Sequence, residues 1–202
     1  MIWACYGLCQ HPEIQTRLRA EIRAHLPSPV GSSDVTSLDI DRVPYLTAVC
    51  NEILRYYDVF VWTRREAGVD TSLLGQRIPK GTAIVIPFRA IHRDKSIWGE
   101  DADTFNPDRW VSNSKSGTPR LTSGGAKSNF GVMSFFHGPR SCIGEAFARA
   151  EFACLLAAWV GRFEFELNDK AQLDEKNLKT AGGFTTGPVD GLDVRVKIVP
   201  GW

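Results

Sequence analysis

The chain has 202 residues, 43% of them hydrophobic and 23% charged, with 24 basic against 23 acidic residues for a formal net charge of +1. This ordinary globular composition argues against a disordered chain, a collagen-like repeat or a polybasic nucleic-acid binder, and near-zero charge exerts no long-range pull on phosphate backbones. No apolar run approaches the roughly 18 residues that span a bilayer, and the apolar opening Met1–Cys9 lacks the basic start of a signal peptide.

So abrupt an apolar start reads as a helix entered midway. Residues 12–26 predict an amphipathic helix: Pro12 suits a first turn, Glu13 complements its positive end, and Ile14, Leu18, Ile22 and Leu26 recur every four residues. Pro27 to Ser33 ends it. A second helix is predicted over 44–57, with Leu46, Val49, Ile53 and Leu54 on its apolar face. Short strands follow at Val59–Thr63 and Thr82–Phe88, punctuated by Gly and Pro. Residues 112–129, rich in Ser, Gly, Asn and Lys, predict a long loop. A third helix over 144–160 is apolar nearly all round, which places it at the centre of a protein. Strands at 162–167 and 192–199 close the chain. The fold class is mainly α with small β-sheets.

Five cysteines, at 5, 9, 50, 142 and 154, are odd in number and irregularly spaced, which argues against a disulfide scaffold. Cys5, Cys9 and His11 fit no common zinc pattern, and residues 5 and 9 lie one helical turn apart, as core residues do. Four cysteines are expected to be small buried hydrophobes. Cys142 is set apart by its neighbours, Ser134-Phe-Phe-His-Gly-Pro-Arg-Ser-Cys-Ile-Gly144. A thiol in a glycine-flanked loop that leads into a helix meets the positive end of the dipole, which favours thiolate. Gly138 and Gly144 permit close approach by something flat and bulky, and Arg140 offers a two-pronged clamp for a carboxylate. Thiolate, glycines and clamp together describe a haem pocket, with iron on sulfur and propionate on arginine; the alternative is a glycine-rich turn capping a core helix.

The pattern Phe135-x-x-Gly138-x-Arg140-x-Cys142-x-Gly144 resembles the haem-binding loop of cytochromes P450. Glu52-x-x-Arg55 resembles the family's K-helix pair, and Phe105-Asn-Pro107-Asp-Arg109-Trp resembles the motif that supplies its third member. Three short motifs in the family's order are far more specific than one. Ile78-Pro-Lys-Gly81 and Ile91-His-Arg-Asp94 resemble segments between them, and the wording of Phe136–Cys142 is similar to that of fungal members. The resemblance implies the C-terminal portion of a P450 fold across residues 1–202: the end of the I helix at 1–11, the J helix at 12–26 and the L helix at 144–161.

On a helix, residues 52 and 55 share one face, so carboxylate and guanidinium can meet there. Arg109 is expected to close a buried ionic network; the alternative is an exposed pair worth under about 1 kcal/mol. By position, Arg65 resembles the family's second propionate arginine, with Arg64 its competitor. His137 is read as reaching a propionate or backbone carbonyl, and His92 and His25 as surface or half-buried residues. Substrate contacts are expected from Val59–Trp62 and from the turn Gly182–Thr185, with Phe184 lining the pocket or packing in the core. The family's two prolines after the K-helix arginine are replaced here by residues of Tyr56-Tyr-Asp-Val-Phe60, so the substrate-side turn is expected to differ in shape.

The resemblance implies a haem-thiolate monooxygenase that uses haem b, with Cys142 as axial ligand and Phe135, Gly138, Arg140, Gly144 and Arg65 at the cofactor. Its partners would be NADPH–cytochrome P450 reductase or an equivalent electron donor and a small apolar organic substrate, with no nucleic acid. Lys115, Arg120 and Lys127 are candidate reductase contacts, set against plain solvated loop charge. Two other readings stand beside it: a truncated, non-catalytic P450 product, and a haem-thiolate isomerase or dehydratase. The family's membrane anchor and the acid–alcohol pair of its I helix have no counterpart in these residues, so the chain alone is expected to be inactive. Full-length relatives typically reside at the endoplasmic reticulum membrane.

Overall fold

The computed structural model describes residues 1–28, 35–113, 119–183 and 185–202. Helix α1 (Ile2–Gln10) is buried on every side, from Trp3 to Cys9. Gly7 makes this possible, because a Cβ there would stand 2.6 Å from the Tyr57 ring. That ring stacks on Trp3 with centroids 5.6 Å apart and meets Tyr6 edge-on at 5.8 Å. Gly7→Ala is therefore expected to cost about 1–3 kcal/mol by overpacking, read from urea unfolding. An unchanged midpoint would mean that Tyr57 swings aside freely.

Helix α2 (Pro12–His25) starts on its proline and buries Leu18 and Ile22, as its apolar stripe dictates. It also buries Gln15 and Arg19, which the stripe does not explain. The reason lies in α7 and β7, described below. Arg19 Nε donates to the Val160 carbonyl at 3.0 Å and Nη2 to that of Phe163 at 2.8 Å, while Gln15 exchanges hydrogen bonds with the Phe165 backbone. A helix C-terminus leaves carbonyls unpaired, and basic side chains satisfy them.

The short α3 (Ser37–Ile40) leads to α4 (Pro44–Tyr56), whose inner face carries Tyr45, Leu46, Ala48, Val49, Cys50 and Ile53 into the core. Strand β1 (Trp62–Glu66) follows, starting three residues later than the sequence suggests. The preceding backbone is taken elsewhere: the Asp58 and Val59 carbonyls accept from Thr186 Oγ1 and N at 2.6 and 2.9 Å, and the Val61 carbonyl accepts from Phe88 N at 2.8 Å. After the hairpin of β2 (Thr71–Leu73) and β3 (Gln76–Ile78), β4 (Ala83–Pro87) pairs antiparallel with β1, setting Thr63 opposite Ile86 and Arg65 opposite Ile84. Helices α5 (Phe88–His92) and α6 (Lys95–Trp98) then return the chain beside α4.

The stretch expected to be a featureless loop contains a small hairpin, β5 (Val111–Asn113) against β6 (Pro119–Leu121), with Val111 opposite Leu121. Three residues per strand are too few to register as a period. Helix α7 (Glu145–Arg162) buries Ala153, Leu156, Ala157 and Val160 against α2 and α4. It is not buried all round, as its composition predicts: Phe147 is 73% exposed, Trp159 44% and Leu155 40%. Only one side of this helix has neighbours among the described residues. Its last residue, Arg162, falls within the strand predicted over 162–167, which begins instead at β7 (Phe163–Leu167). The minor pair β8 (Thr180–Ala181) and β9 (Gly187–Pro188) precedes β10 (Val194–Ile198), which pairs antiparallel with β7, Phe165 facing Val196. Among the described residues no helix is long and apolar enough to cross a membrane.

Candidate functional site

Two structures meet beside the C-terminal half of α4: a buried ionic network and the loop that carries Cys142. Glu52 and Arg55 are both fully buried. Arg55 uses all five of its N–H donors. Nε and Nη2 hold the two Glu52 oxygens at 2.8 and 2.7 Å, Nη1 donates to the carbonyls of His92 at 2.6 Å and Ala102 at 2.8 Å, and Nη2 also donates to Thr104 O at 2.9 Å. The carboxylate of Glu52 is saturated in turn. It accepts from Asn106 N at 2.7 Å, Arg109 Nε at 3.2 Å and Trp110 Nε1 at 2.9 Å. Arg109, its side chain 5% exposed, is shared with Asp101 through Nη2–Oδ2 at 2.8 Å. Burial alone would raise the Asp101 carboxyl, but hydrogen bonds from Asn106 and Arg109 and the Arg109 charge outweigh it and hold the group below its usual range.

Sequence reasoning brought Glu52, Arg55 and Arg109 together but missed Trp110, Asn106, Asp101 and His92. Trp110 stands in the quoted motif beside Arg109, and an indole N–H bound for the interior needs an acceptor; that signal was available. The backbone carbonyls that receive Arg55 carry no sequence signature.

Cys142 is exposed, with its N–H donating to Phe135 O at 2.8 Å and its carbonyl accepting from Glu145 N at 3.3 Å as α7 begins. The loop is pinned to α4 at two points: Ser134 Oγ donates to Leu54 O at 2.9 Å, and Arg149, bonded to Glu145 and Asn51, lies 5.0 Å from the Phe135 ring. Gly138 takes φ +81° with open space around an added Cβ, and a Cβ on Gly144 would stand 3.8 Å from Cys142 Sγ. Phe136 holds φ +64°, a left-handed conformation that costs a bulky residue roughly 1–2 kcal/mol. Its ring is clamped by Phe88 at 5.3 Å, Phe60 at 6.1 Å and the Arg65 guanidinium at 5.6 Å.

Arg65 therefore reaches the loop. Its Nη1 bonds only to Thr63 Oγ1 and the Arg64 carbonyl, and it meets no carboxylate among the described residues. Arg64 points the other way, 3.9 Å from Glu66. Arg140 is exposed, also without an ion pair among the described residues. An exposed thiol, two arginines free of carboxylates and the bare apolar side chains Ile143 and Phe147 are a donor set that fits a flat dicarboxylate macrocycle carrying iron. Phe135, Gly138 and Gly144 lie in the same loop.

Several expectations change. Cys154 is exposed on the uncovered side of α7 rather than buried, whereas Cys5, Cys9 and Cys50 are buried; burial pushes the thiols of Cys9 and Cys50 up to about 12. His92 is 1% exposed, because its ring and its carbonyl both have partners inside. His137 meets the Phe130 ring edge-on at 4.6 Å and makes no hydrogen bond to a backbone carbonyl among the described residues, which leaves the propionate as its other expected partner. Val59 and Phe60 are half-buried and Trp62 exposed, and Thr186 ties this stretch to the turn after Gly182. Phe184 and Lys115 lie outside the described residues; Arg120 and Lys127 are exposed.

The family model of cytochrome P450 matches residues 1–191. The chain is 47% identical to cytochrome P450 monooxygenase buaD of Petromyces alliaceus, over 99% of this chain and 37% of that protein. It is 46% identical to cytochrome P450 monooxygenase sphH of Aspergillus fumigatus, over 99% of this chain and 36% of the relative. With cytochrome P450 monooxygenase FUM15 of Gibberella moniliformis it shares 42% identity over 98% of this chain and 39% of the relative. The chain thus spans little more than a third of the length of the curated relatives it matches, and it belongs to the cytochrome P450 family.

Proposed function

We propose that this chain forms the thiolate side of a haem monooxygenase, which inserts one oxygen atom of dioxygen into a small apolar organic substrate. Electrons would come from NADPH–cytochrome P450 reductase or an equivalent donor. The observation that carries the reading is the exposed Cys142 thiol at the start of α7, held by its own N–H on Phe135 O, with no ion pair for Arg140 and no carboxylate for Arg65 among the described residues. Relatives named monooxygenases support the oxygen-inserting chemistry. Haem b, when bound, would supply that chemistry, with its iron made electron-rich by the thiolate of Cys142.

The chain's own residues do the holding. Cys142 would present sulfur, Arg140 and Arg65 would take one propionate each by charge-assisted hydrogen bonds, and Gly138 and Gly144 would leave room for a flat ring. Phe135 packs under the loop beside Arg149. Glu52, Arg55 and Arg109 act at a distance, keeping the loop's foundation rigid.

Haem titration separates the two arginines of β1. Arg65→Ala is expected to weaken binding roughly tenfold, the size of one charge-assisted hydrogen bond, while Arg64→Ala leaves it within about twofold, as for an exposed pair. Equal effects would remove Arg65 from the cofactor. The reaction class is tested by supplying reductase and NADPH: product formed without NADPH consumption would replace the monooxygenase with a haem-thiolate isomerase or dehydratase.

A further inference from the structure

One buried side-chain pair lies between the ionic network and the loop that carries the thiol. His92 and Asp58 have side chains 1% and 2% exposed, and His92 Nδ1 lies 2.6 Å from Asp58 Oδ1. On its other side the ring meets a backbone amide, with Met133 N donating to His92 Nε2 at 2.8 Å. A backbone N–H can only donate, so Nε2 is the acceptor and Nδ1 carries the proton that Asp58 receives. The chemistry thus assigns one tautomer, set from outside by a carboxylate.

The position of this pair is informative. The His92 carbonyl takes a hydrogen bond from Arg55 at 2.6 Å, so the residue belongs to the network at one end. At the other end it holds Met133, whose carbonyl accepts from Phe136 N at 3.0 Å, and the adjacent Phe135 carbonyl accepts from Cys142 N at 2.8 Å. A continuous path of hydrogen bonds and short backbone segments therefore runs from Arg55 through His92 and Met133 to the amide of Cys142. The loop includes a residue, Phe136, at φ +64°, a conformation that persists only when its surroundings over-determine it. Asp58 is fixed in turn by its own carbonyl, which accepts from Thr186 Oγ1 at 2.6 Å, and its Oδ2 has no hydrogen-bond partner among the described residues. A buried carboxylate oxygen left bare is costly, so the hydrogen bond to the imidazole is what Asp58 retains here.

We propose that Asp58 and His92 are positioning residues for the thiolate loop: Asp58 holds His92 in the Nδ1–H tautomer, and His92 Nε2 registers the loop on the ionic network by accepting the Met133 amide. The consequence at sulfur rests on the reading of Cys142 as the iron ligand, but the hydrogen bond itself does not. In its absence the loop loses its registration before Phe136, and Cys142 wanders from the position in which it bonds iron as thiolate.

Amide hydrogen exchange at Met133 in the full chain reads the bond without haem. His92→Phe keeps the ring and removes the acceptor, and is expected to speed exchange at Met133 by at least about tenfold, the loss of one buried hydrogen bond. His92→Gln, whose amide oxygen can accept from Met133, restores most of the protection. Asp58→Asn still accepts from Nδ1–H and keeps it, because the opposite amide orientation would set an Nε2–H against the Met133 N–H; Asp58→Leu does not. With haem added, the reduced carbon monoxide complex of His92→Phe shifts from a thiolate-type to a thiol-type band, and His92→Gln shifts it back. Unchanged exchange in His92→Phe, or an intact thiolate band despite faster exchange, overturns the proposal. If His92→Phe does not fold, equal Met133 protection in Asp58→Leu and Asp58→Asn overturns it. A wild-type chain without any thiolate band counts against the haem-thiolate reading instead, and the exchange rates then decide the positioning claim alone.

Discussion

Cys142→Ala removes the thiolate-type band from the reduced carbon monoxide spectrum, and Cys154→Ala leaves it intact. The expected contrast is all against nothing, because the chain offers one thiol with the right surroundings. Cys5, Cys9 and Cys50 are buried, and burial raises all three thiols, the last two to about 12, so they stay protonated and out of reach. Cys154 is exposed but sits within α7, where the backbone amides are already spent on the helix. Cys142 precedes the helix, with loop glycines on both sides and its sulfur facing solvent. A thiolate band that survives in Cys142→Ala would dismiss this residue as the ligand, and with it the function proposed for the chain.

The second large effect falls on stability. Glu52→Ala is expected to remove a large share of the protein's stability, since it strands the fully buried Arg55 and takes away an acceptor from Arg109, Asn106 and Trp110 together. Removing one partner of a buried ion pair costs about 3–5 kcal/mol, against a total stability of roughly 5–15 kcal/mol for a typical domain. Arg109→Ala should cost somewhat less, because Glu52 keeps Arg55. The control is Arg17, whose exposed pair with Asp108 is just as short at 2.8 Å; Arg17→Ala should cost under about 1 kcal/mol by the usual worth of surface pairs, with some loss of its packing on Tyr45. Urea unfolding of the three variants ranks them. A folded, haem-loaded Glu52→Ala with only its turnover changed would move this residue from scaffold to chemistry.

The difference between those two ion pairs shows where sequence reasoning stops. Both look alike as text, an arginine and a carboxylate in short polar contexts. Burial separates them, and burial depends on which segments lie over the pair. Residues 92, 102 and 104 supply the carbonyls that make Arg55 tolerable in the interior, and a carbonyl is common to every residue type.

What the sequence by itself determined is local. The period of four from Ile14 to Leu26, the prolines at 12 and 44 and the apolar run after Gly144 place three helices to within two residues of Pro12–His25, Pro44–Tyr56 and Glu145–Arg162, because helix periodicity and end signals are written in neighbouring side chains. The thiol loop and the family's motifs are likewise short strings. The tertiary structure alone decided which faces are covered. It buried Gln15 and Arg19 because α7 ends above them, and left Phe147 and Trp159 bare because only one side of α7 has neighbours among the described residues. It also drew His92 inward between Asp58, Arg55 and Met133, residues 34, 37 and 41 positions away. Hydrogen bonds of that reach depend on how the chain returns to itself, which residue identity at a single position does not encode.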